Sequence, residues 1–244
     1  LDNRWIDLRT KTNTEMMMIK SMMINQFRME LLCRSFIEIF SPKLIGAASE
    51  GGCNVFPVNF FDKTAYLAQS PQLYKQMAIN SGLEKVFEIG PVFRAENCVS
   101  NRHLCEYVSM DMEFAIPTNQ NHLYIVEVIW NVLHNTFLKI SSNMKSEIEY
   151  ILSKTKKEKI VMPCTPVIIT FKEGVKLLRE NGATQEELDD LNTENERLLG
   201  KIVKEKYDSD IFALVDYPTN VRPFYTMKKP DDPNYSRSFD IILR

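Results

Sequence analysis

Between Lys85 and Ile116 the chain gathers Arg94, the carboxylates Glu96, Asp111 and Glu113, the ring of Tyr107, and a connecting stretch that carries Arg102 and His103. Cationic groups of this kind suit a polyphosphate, because a guanidinium or a protonated imidazole donates charge-assisted hydrogen bonds to its oxygens. Two strands are needed to present them. Read with a period of two, Phe87, Ile89, Pro91, Phe93 and Ala95 alternate with Val86, Glu88, Gly90, Val92, Arg94 and Glu96. Val108, Met110, Met112 and Phe114 alternate in the same way with Tyr107, Ser109, Asp111 and Glu113. The apolar sets share one side, which is expected to be core, while small Gly90 and Ser109 leave room above the other. A hairpin with a merely solvated outer face shows the same alternation. Against that reading stand the length of the link from Asn97 to Glu106 and its cationic content.

A second chemical set lies upstream. AYLAQSPQLYKQMAI passes from an alternating strand to a helical pattern at Ser70–Pro71, where proline suits the first helical position. Gln72 and Lys75 then share a helix face. A lysine beside a glutamine could hold a ligand's side-chain carboxylate while the amide orients it; a solvated helix surface is the alternative. AASEGG, with one acid (Glu50) and two glycines, reads either as a lid or as an ordinary flexible turn.

Other elements supply the frame. Thr12 and Glu15 have capping-box spacing, and no breaker follows until about Arg34, so a helix of about 20 residues and about 30 Å is expected. Its apolar residues, from Met16 and Met17 through Phe27 to Leu31 and Leu32, make more than one stripe and call for burial on two sides, by a core and by a second subunit or by one domain alone. SFIEIFSPKLI reads as a strand reaching Pro42. Leu123, Val126, Ile129, Leu133, Phe137 and Ile140 recur at helical spacing, and His122 and His134 read as surface or satisfied residues. Thr170 with Glu173 and Thr193 with Glu196 are expected to open two short helices, the first ending before Gly182. DIFALV reads as a buried strand and SFDIILR as a final one. Residues from about 121 to 205 form a mostly helical elaboration of one domain.

Composition narrows the class. At 244 residues, with 44% hydrophobic and 25% charged residues, the chain is of ordinary globular type, and no apolar run is long enough to span a bilayer. A soluble, cytoplasmic protein is the expectation. A net charge of −2 carries no global nucleic-acid signature, which leaves room for a local RNA contact. Five cysteines without a C-x-x-C point to reduced thiols rather than to zinc.

FRAE, RHLCEY and the acidic pair in MDMEF resemble motif 2 of the class II aminoacyl-tRNA synthetases. QSPQLYKQ at 69 to 76 and AASEGGCNVF at 47 to 56 are similar to the amino-acid-selecting segments of the aspartyl branch, of eukaryotic and archaeal type. The resemblance covers nearly the whole chain and implies an α+β fold, an antiparallel sheet flanked by helices. It implies ATP-dependent activation of L-aspartate to the adenylate and transfer to tRNA(Asp), with Mg2+ as cofactor. Arg94 is implied to bridge the α-phosphate and the amino acid's carboxylate. Glu96 would read the adenine, Tyr107 stack on it, Arg102 and His103 meet the outer phosphates, and Glu113 lie near ATP. Ser49, Glu50 and Asp111 match positions near the ammonium, Gln72 and Lys75 those that select the side chain, and Asp240 a metal-binding carboxylate. The helix at about 14 to 34 with Pro42 looks like motif 1, whose implied role is homodimerisation. Cys98, Asn101, Cys105 and Tyr107 depart from the family pattern, which touches tRNA contacts more than chemistry. Motif 3 and an anticodon-binding barrel find no match, so this stretch alone is expected not to form adenylate. Rival readings are a tRNA-independent asparagine synthetase-like enzyme and a non-catalytic interaction protein of the same fold.

Overall fold

The computed structural model describes residues 2–48, 55–97 and 104–243. In chain order its elements are α1 (Arg4–Asp7), α2 (Lys11–Leu32), β1 (Ile37–Glu38), β2 (Leu44–Ile45), β3 (Pro57–Phe60), β4 (Lys63–Leu67), α3 (Gln72–Asn80), β5 (Lys85–Phe93) and β6 (Glu106–Phe114). There follow α4 (Leu123–Asn143), α5 (Lys145–Thr155), β7 (Ile168–Thr170), α6 (Phe171–Glu180), α7 (Thr193–Tyr207), β8 (Ile211–Val215), a 3-10 turn (Thr219–Val221) and β9 (Phe239–Leu243). Two compact units result, one of residues 24–115 and one of 1–23 with 116–244.

The strands form three small sheets, ordered β1-β5-β6, β2-β4-β3 and β7-β8-β9, of which the second is antiparallel throughout and the other two are mixed. The expected antiparallel pairing holds for β5–β6, for β4 with both its neighbours, and for β8–β9; β1–β5 and β7–β8 are parallel. Each parallel pair is joined by a long crossover, which a hairpin cannot replace: β2, β3, β4 and α3 lie between β1 and β5, and α6 and α7 between β7 and β8.

Helix α2 starts at Lys11, so Thr12 lies inside its first turn instead of capping it. The Thr10 hydroxyl donates to the Asp7 carbonyl at 2.8 Å, and Thr14 N–H to Thr10 O at 3.0 Å. The helix closes on Ser35, whose φ of 63° is left-handed, with Ser35 N–H on Leu32 O and Phe36 N–H on Leu31 O. That crossed pair of bonds satisfies the last carbonyls and turns the chain into β1. Phe27 and Leu31 are buried, whereas Met16, Met17, Met18, Met29 and Leu32 are exposed. Three consecutive methionines cannot share one helix face, so apolar surface is left uncovered by this chain's described residues on more than one side of α2. The expected strand through Pro42 is broken into β1 and β2, which pair in different sheets.

In the unit containing residues 116–244, β8 is buried along its whole length. Phe212 and Leu214 point into a cluster with Phe171, Leu178, Leu199 and Val203, while Ala213 and Val215 meet Val126 of α4. The C-terminal lysines of α5 and its sequel, Lys154, Lys156, Lys157 and Lys159, are all exposed. His122 is satisfied by Asp216, with Nε2 3.1 Å from Oδ1. Among the described residues no helix is long and apolar enough to cross a membrane.

Helix α6 opens with the expected capping box: Glu173 N–H donates to Thr170 Oγ1 at 3.2 Å, and Thr170 N–H donates to Glu173 Oε2 at 2.9 Å. Helix α7 is capped one residue earlier than expected, by Asn192, whose Oδ1 accepts from Asn195 N–H at 2.8 Å. The Thr170 backbone and hydroxyl donors hold the Glu173 carboxyl below its ordinary value of 4.5. A depressed folded-state value means that this stabilisation is present above the ordinary value and is lost as pH falls through the folded one. Thr170→Ala is expected to cost about 1 kcal/mol near neutrality. Denaturant titrations at several pH values should show this difference from wild type shrinking on the acid side.

Candidate functional site

Both hairpin strands present the two faces that alternation predicts. Val86 pairs with Glu113, Glu88 with Asp111, Gly90 with Ser109 and Val92 with Tyr107, so these eight residues share one face. The opposite, apolar face is less of a core than expected. Phe87 is buried, and Phe36 meets Phe114 edge to face at 5.7 Å, but Pro91 is exposed and Val108 is 45% exposed. The polar face is the better covered at several points: Val86, Glu88 and Val92 are all buried, and α3 packs against both strands.

Helix α3 delivers Lys75 to this floor. The residue is 4% exposed, with Nζ 3.1 Å from Asp111 Oδ1 and 3.7 Å from Glu113 Oε2. Gln72, one turn earlier, donates through Nε2 to Glu113 Oε2 at 3.2 Å, and the Ser109 hydroxyl donates to Asp111 Oδ2. The solvated-helix reading of Gln72 and Lys75 does not hold. A buried ammonium is costly unless paired, so this cation is held in place by two carboxylates and aimed at the sheet.

Arg94 lies just past the end of β5. Its N–H donates to Cys105 O at 3.0 Å, which carries the ladder one step beyond the strands, and its carbonyl accepts from Glu96 N–H at 2.8 Å in a tight local turn. Its guanidinium carbon is 5.9 Å from the centre of the Tyr107 ring. Tyr107 and Asp111 stand on the same face of β6, about 13 Å apart at strand rise. The floor thus carries a guanidinium and an aromatic ring at one end and Lys75 with two carboxylates at the other, a span that accommodates an elongated ligand with two charged ends. Ser49, Glu50, Arg102 and His103 lie outside the described residues.

Sequence reasoning missed one pair on this floor. Lys43, which follows Pro42, forms an ion pair with Glu88, whose second oxygen accepts from Ser41 N–H at 3.1 Å. The partners are 45 residues apart in the chain, and only the position of Glu88 in the alternating pattern hinted at a role for it.

Asp240 belongs to the other unit. Its carboxylate is about half exposed, with Oδ2 2.9 Å from Arg222 Nη2. The Arg222 guanidinium lies 3.7 Å over the centre of the Tyr217 ring. Burial, with the neighbouring Asp240 charge, pushes the Tyr217 phenol far above its ordinary range. Burial likewise raises the Asp190 carboxyl nearby, an effect moderated by its bond from Leu191 N–H and by Arg222. No cluster of three or more His, Cys, Asp or Glu side chains suited to a metal forms among the described residues.

The family model described as tRNA synthetases class II (D, K and N) matches residues 1–244. A curated relative from Caenorhabditis elegans, named as the cytoplasmic aspartate–tRNA ligase, is 46% identical over the whole chain, which covers 46% of that relative. Among solved structures, an aspartyl tRNA synthetase from Entamoeba histolytica matches with a TM-score of 0.88 at 39% identity, over 100% of this chain and 46% of that one. An asparaginyl-tRNA synthetase from Pyrococcus horikoshii, complexed with asparaginyl-adenylate, matches with a TM-score of 0.85 at 32% identity, over 99% and 54%. The chain spans about half the length of the curated relatives it matches.

Proposed function

This chain belongs to the class II tRNA synthetases of the D, K and N group, and from that premise we propose that it carries the amino-acid-activating floor of an aspartate–tRNA ligase. The reaction joins L-aspartate and ATP into aspartyl-adenylate with release of pyrophosphate, then passes the aspartyl group to tRNA(Asp). The observation that carries this reading is Lys75: a buried ammonium on a packed helix, beside an amide donor, is what a side-chain carboxylate requires and what its neutral amide does not. Gln72 and Lys75 take the aspartate side chain, and Asp111 takes the ammonium. Arg94 bridges the α-phosphate and the reacting carboxylate, stabilising charge that grows on phosphorus. Tyr107 stacks on the adenine that Glu96 reads, and Glu113 lies near ATP. Ser49, Glu50, Arg102 and His103 complete the set on the strength of the resemblance.

Mg2+ is proposed as the counter-ion of ATP, with Asp240 as a ligand. A half-exposed carboxylate fits a hard cation that keeps waters and takes most of its other ligands from phosphates; that cation would compete with the Arg222 ion pair. Exposure of Met16, Met17, Met18, Met29 and Leu32 supports homodimerisation through α2 and the Pro42 corner. A cytoplasmic location follows the names of the relatives.

Amino-acid-dependent pyrophosphate exchange by the complete gene product tests the reading. Exchange is expected with aspartate and not with asparagine or lysine, and aspartyl transfer only when tRNA(Asp) is added. Asparagine-driven exchange, or consumption of aspartate to give free asparagine without tRNA, would replace this assignment.

A further inference from the structure

Glu88 and Asp111 face each other directly across the β5–β6 ladder, where side chains start from Cβ atoms only about 5 Å apart. Like charges in that position repel, and Glu88 is 3% exposed, so water screens it little. A lysine stands on each flank. Lys75 takes Asp111 from α3, and Lys43 takes Glu88 from the Pro42 corner, where it also donates to Ser41 Oγ at 3.1 Å. The Lys43 ammonium sits over the floor itself: a Cβ placed on Gly90 would lie 3.6 Å from Nζ and 3.3 Å from Glu88 Oε1. Glycine at position 90 is what leaves this space. Lys43 and Lys75 against Glu88, Asp111 and Glu113 leave the cluster one negative charge in excess. That excess favours a ligand's ammonium and opposes its side-chain carboxylate.

We propose that Lys43 is a specificity-determining positioning residue. By neutralising Glu88 it stops the pocket from becoming so negative that aspartate loses its advantage over asparagine. The inference rests on the aspartate reading above, and Lys43 acts through Glu88 and not by touching the ligand. Aspartate and asparagine share an ammonium and an α-carboxylate, so the ratio of their affinities isolates the side-chain charge.

The test uses aspartate-dependent pyrophosphate exchange by the complete gene product, with asparagine as competing inhibitor, to obtain KM for aspartate and Ki for asparagine. K43Q is expected to raise the ratio of KM to Ki on the order of tenfold, the effect of one unit charge within roughly 10 Å at an effective dielectric near 20. The kcat should change far less. K43R should keep the wild-type ratio, and the neutral pair K43Q/E88Q should restore it to within about twofold. E88Q alone, which leaves Lys43 uncompensated, should lower the ratio, and it carries the test if K43Q fails to fold. A purely structural pair would instead weaken both ligands together and lower Tm without rescue by the neutral pair. If wild type exchanges aspartate and these ratios do not move, the proposal is overturned and the aspartate reading stands. If wild type shows no aspartate-dependent exchange, that reading falls and takes the proposal with it.

Discussion

Replacing Lys75 by methionine is expected to lower kcat/KM for aspartate-dependent exchange by about a thousandfold while leaving the protein folded. Methionine keeps the length and apolar stem of lysine and removes only the ammonium that lies 3.1 Å from Asp111 and 3.7 Å from Glu113. The fold should survive because neither carboxylate is stranded. Asp111 keeps the Ser109 hydroxyl, Glu113 keeps the Gln72 amide, and both side chains retain some contact with water. The cost in stability should therefore fall below the roughly 3–5 kcal/mol of a fully buried broken pair. The ligand fares worse, since its side-chain carboxylate would enter a desolvated space holding two protein carboxylates and no cation. Sites that recognise a polar group by a buried partner lose factors of about 10⁴ when that match fails. Arg should rescue only in part, because a planar fork does not occupy the place of a compact ammonium. Exchange kinetics with a parallel thermal melt give the answer, and K75M activity within about fivefold of wild type would remove Lys75 from the recognition set.

What could be read without coordinates followed the range of the interactions involved. Alternation along Val86 to Val92 and Tyr107 to Glu113 predicts which residues share a face, because a slip by one would send Asp111 and Glu113 to the other side; the pairing of Glu88 with Asp111 is not fixed by it, since a slip by two keeps the faces. Thr170 and Glu173 fulfil the capping box because both bonds span a single turn. The same rule misplaced the starts of α2 and α7, where the competing acceptors, the Asp7 carbonyl that takes the Thr10 hydroxyl and the Asn192 side chain that takes Asn195 N–H, lie outside the motif. The coverage of the two sheet faces was not legible. Which face is buried depends on α3 and on the Pro42 corner, and no period in the strands encodes where those elements pack. For the same reason Lys43 and Glu88 went unpaired in the sequence reading, whereas Gln72 and Lys75, on one helix face, were found together.

Substituting Arg94 by lysine should be nearly as damaging to exchange as substituting it by alanine, with kcat down by roughly 10²–10³, the usual loss when one donor to a developing negative charge is removed. Position, not charge alone, is the reason. Arg94 is the first residue past β5, and its backbone is pinned on both sides by the Cys105 carbonyl and the Glu96 N–H. The root of the side chain is thus fixed one step beyond the sheet, by one bond across to the returning strand and one local turn. From that root the planar guanidinium approaches Tyr107 and can offer two parallel donors, one toward a phosphate oxygen and one toward a carboxylate. A lysine placed there keeps the charge but has a tetrahedral head that cannot make the paired contact, and its stronger hydration draws it back to water. The Tyr107→Phe change should remain close to wild type, because stacking needs the ring and not the hydroxyl. If R94K retained more than about a tenth of wild-type kcat, the residue would be acting as a general positive charge, and the bridging role between phosphate and carboxylate would have to pass to another donor.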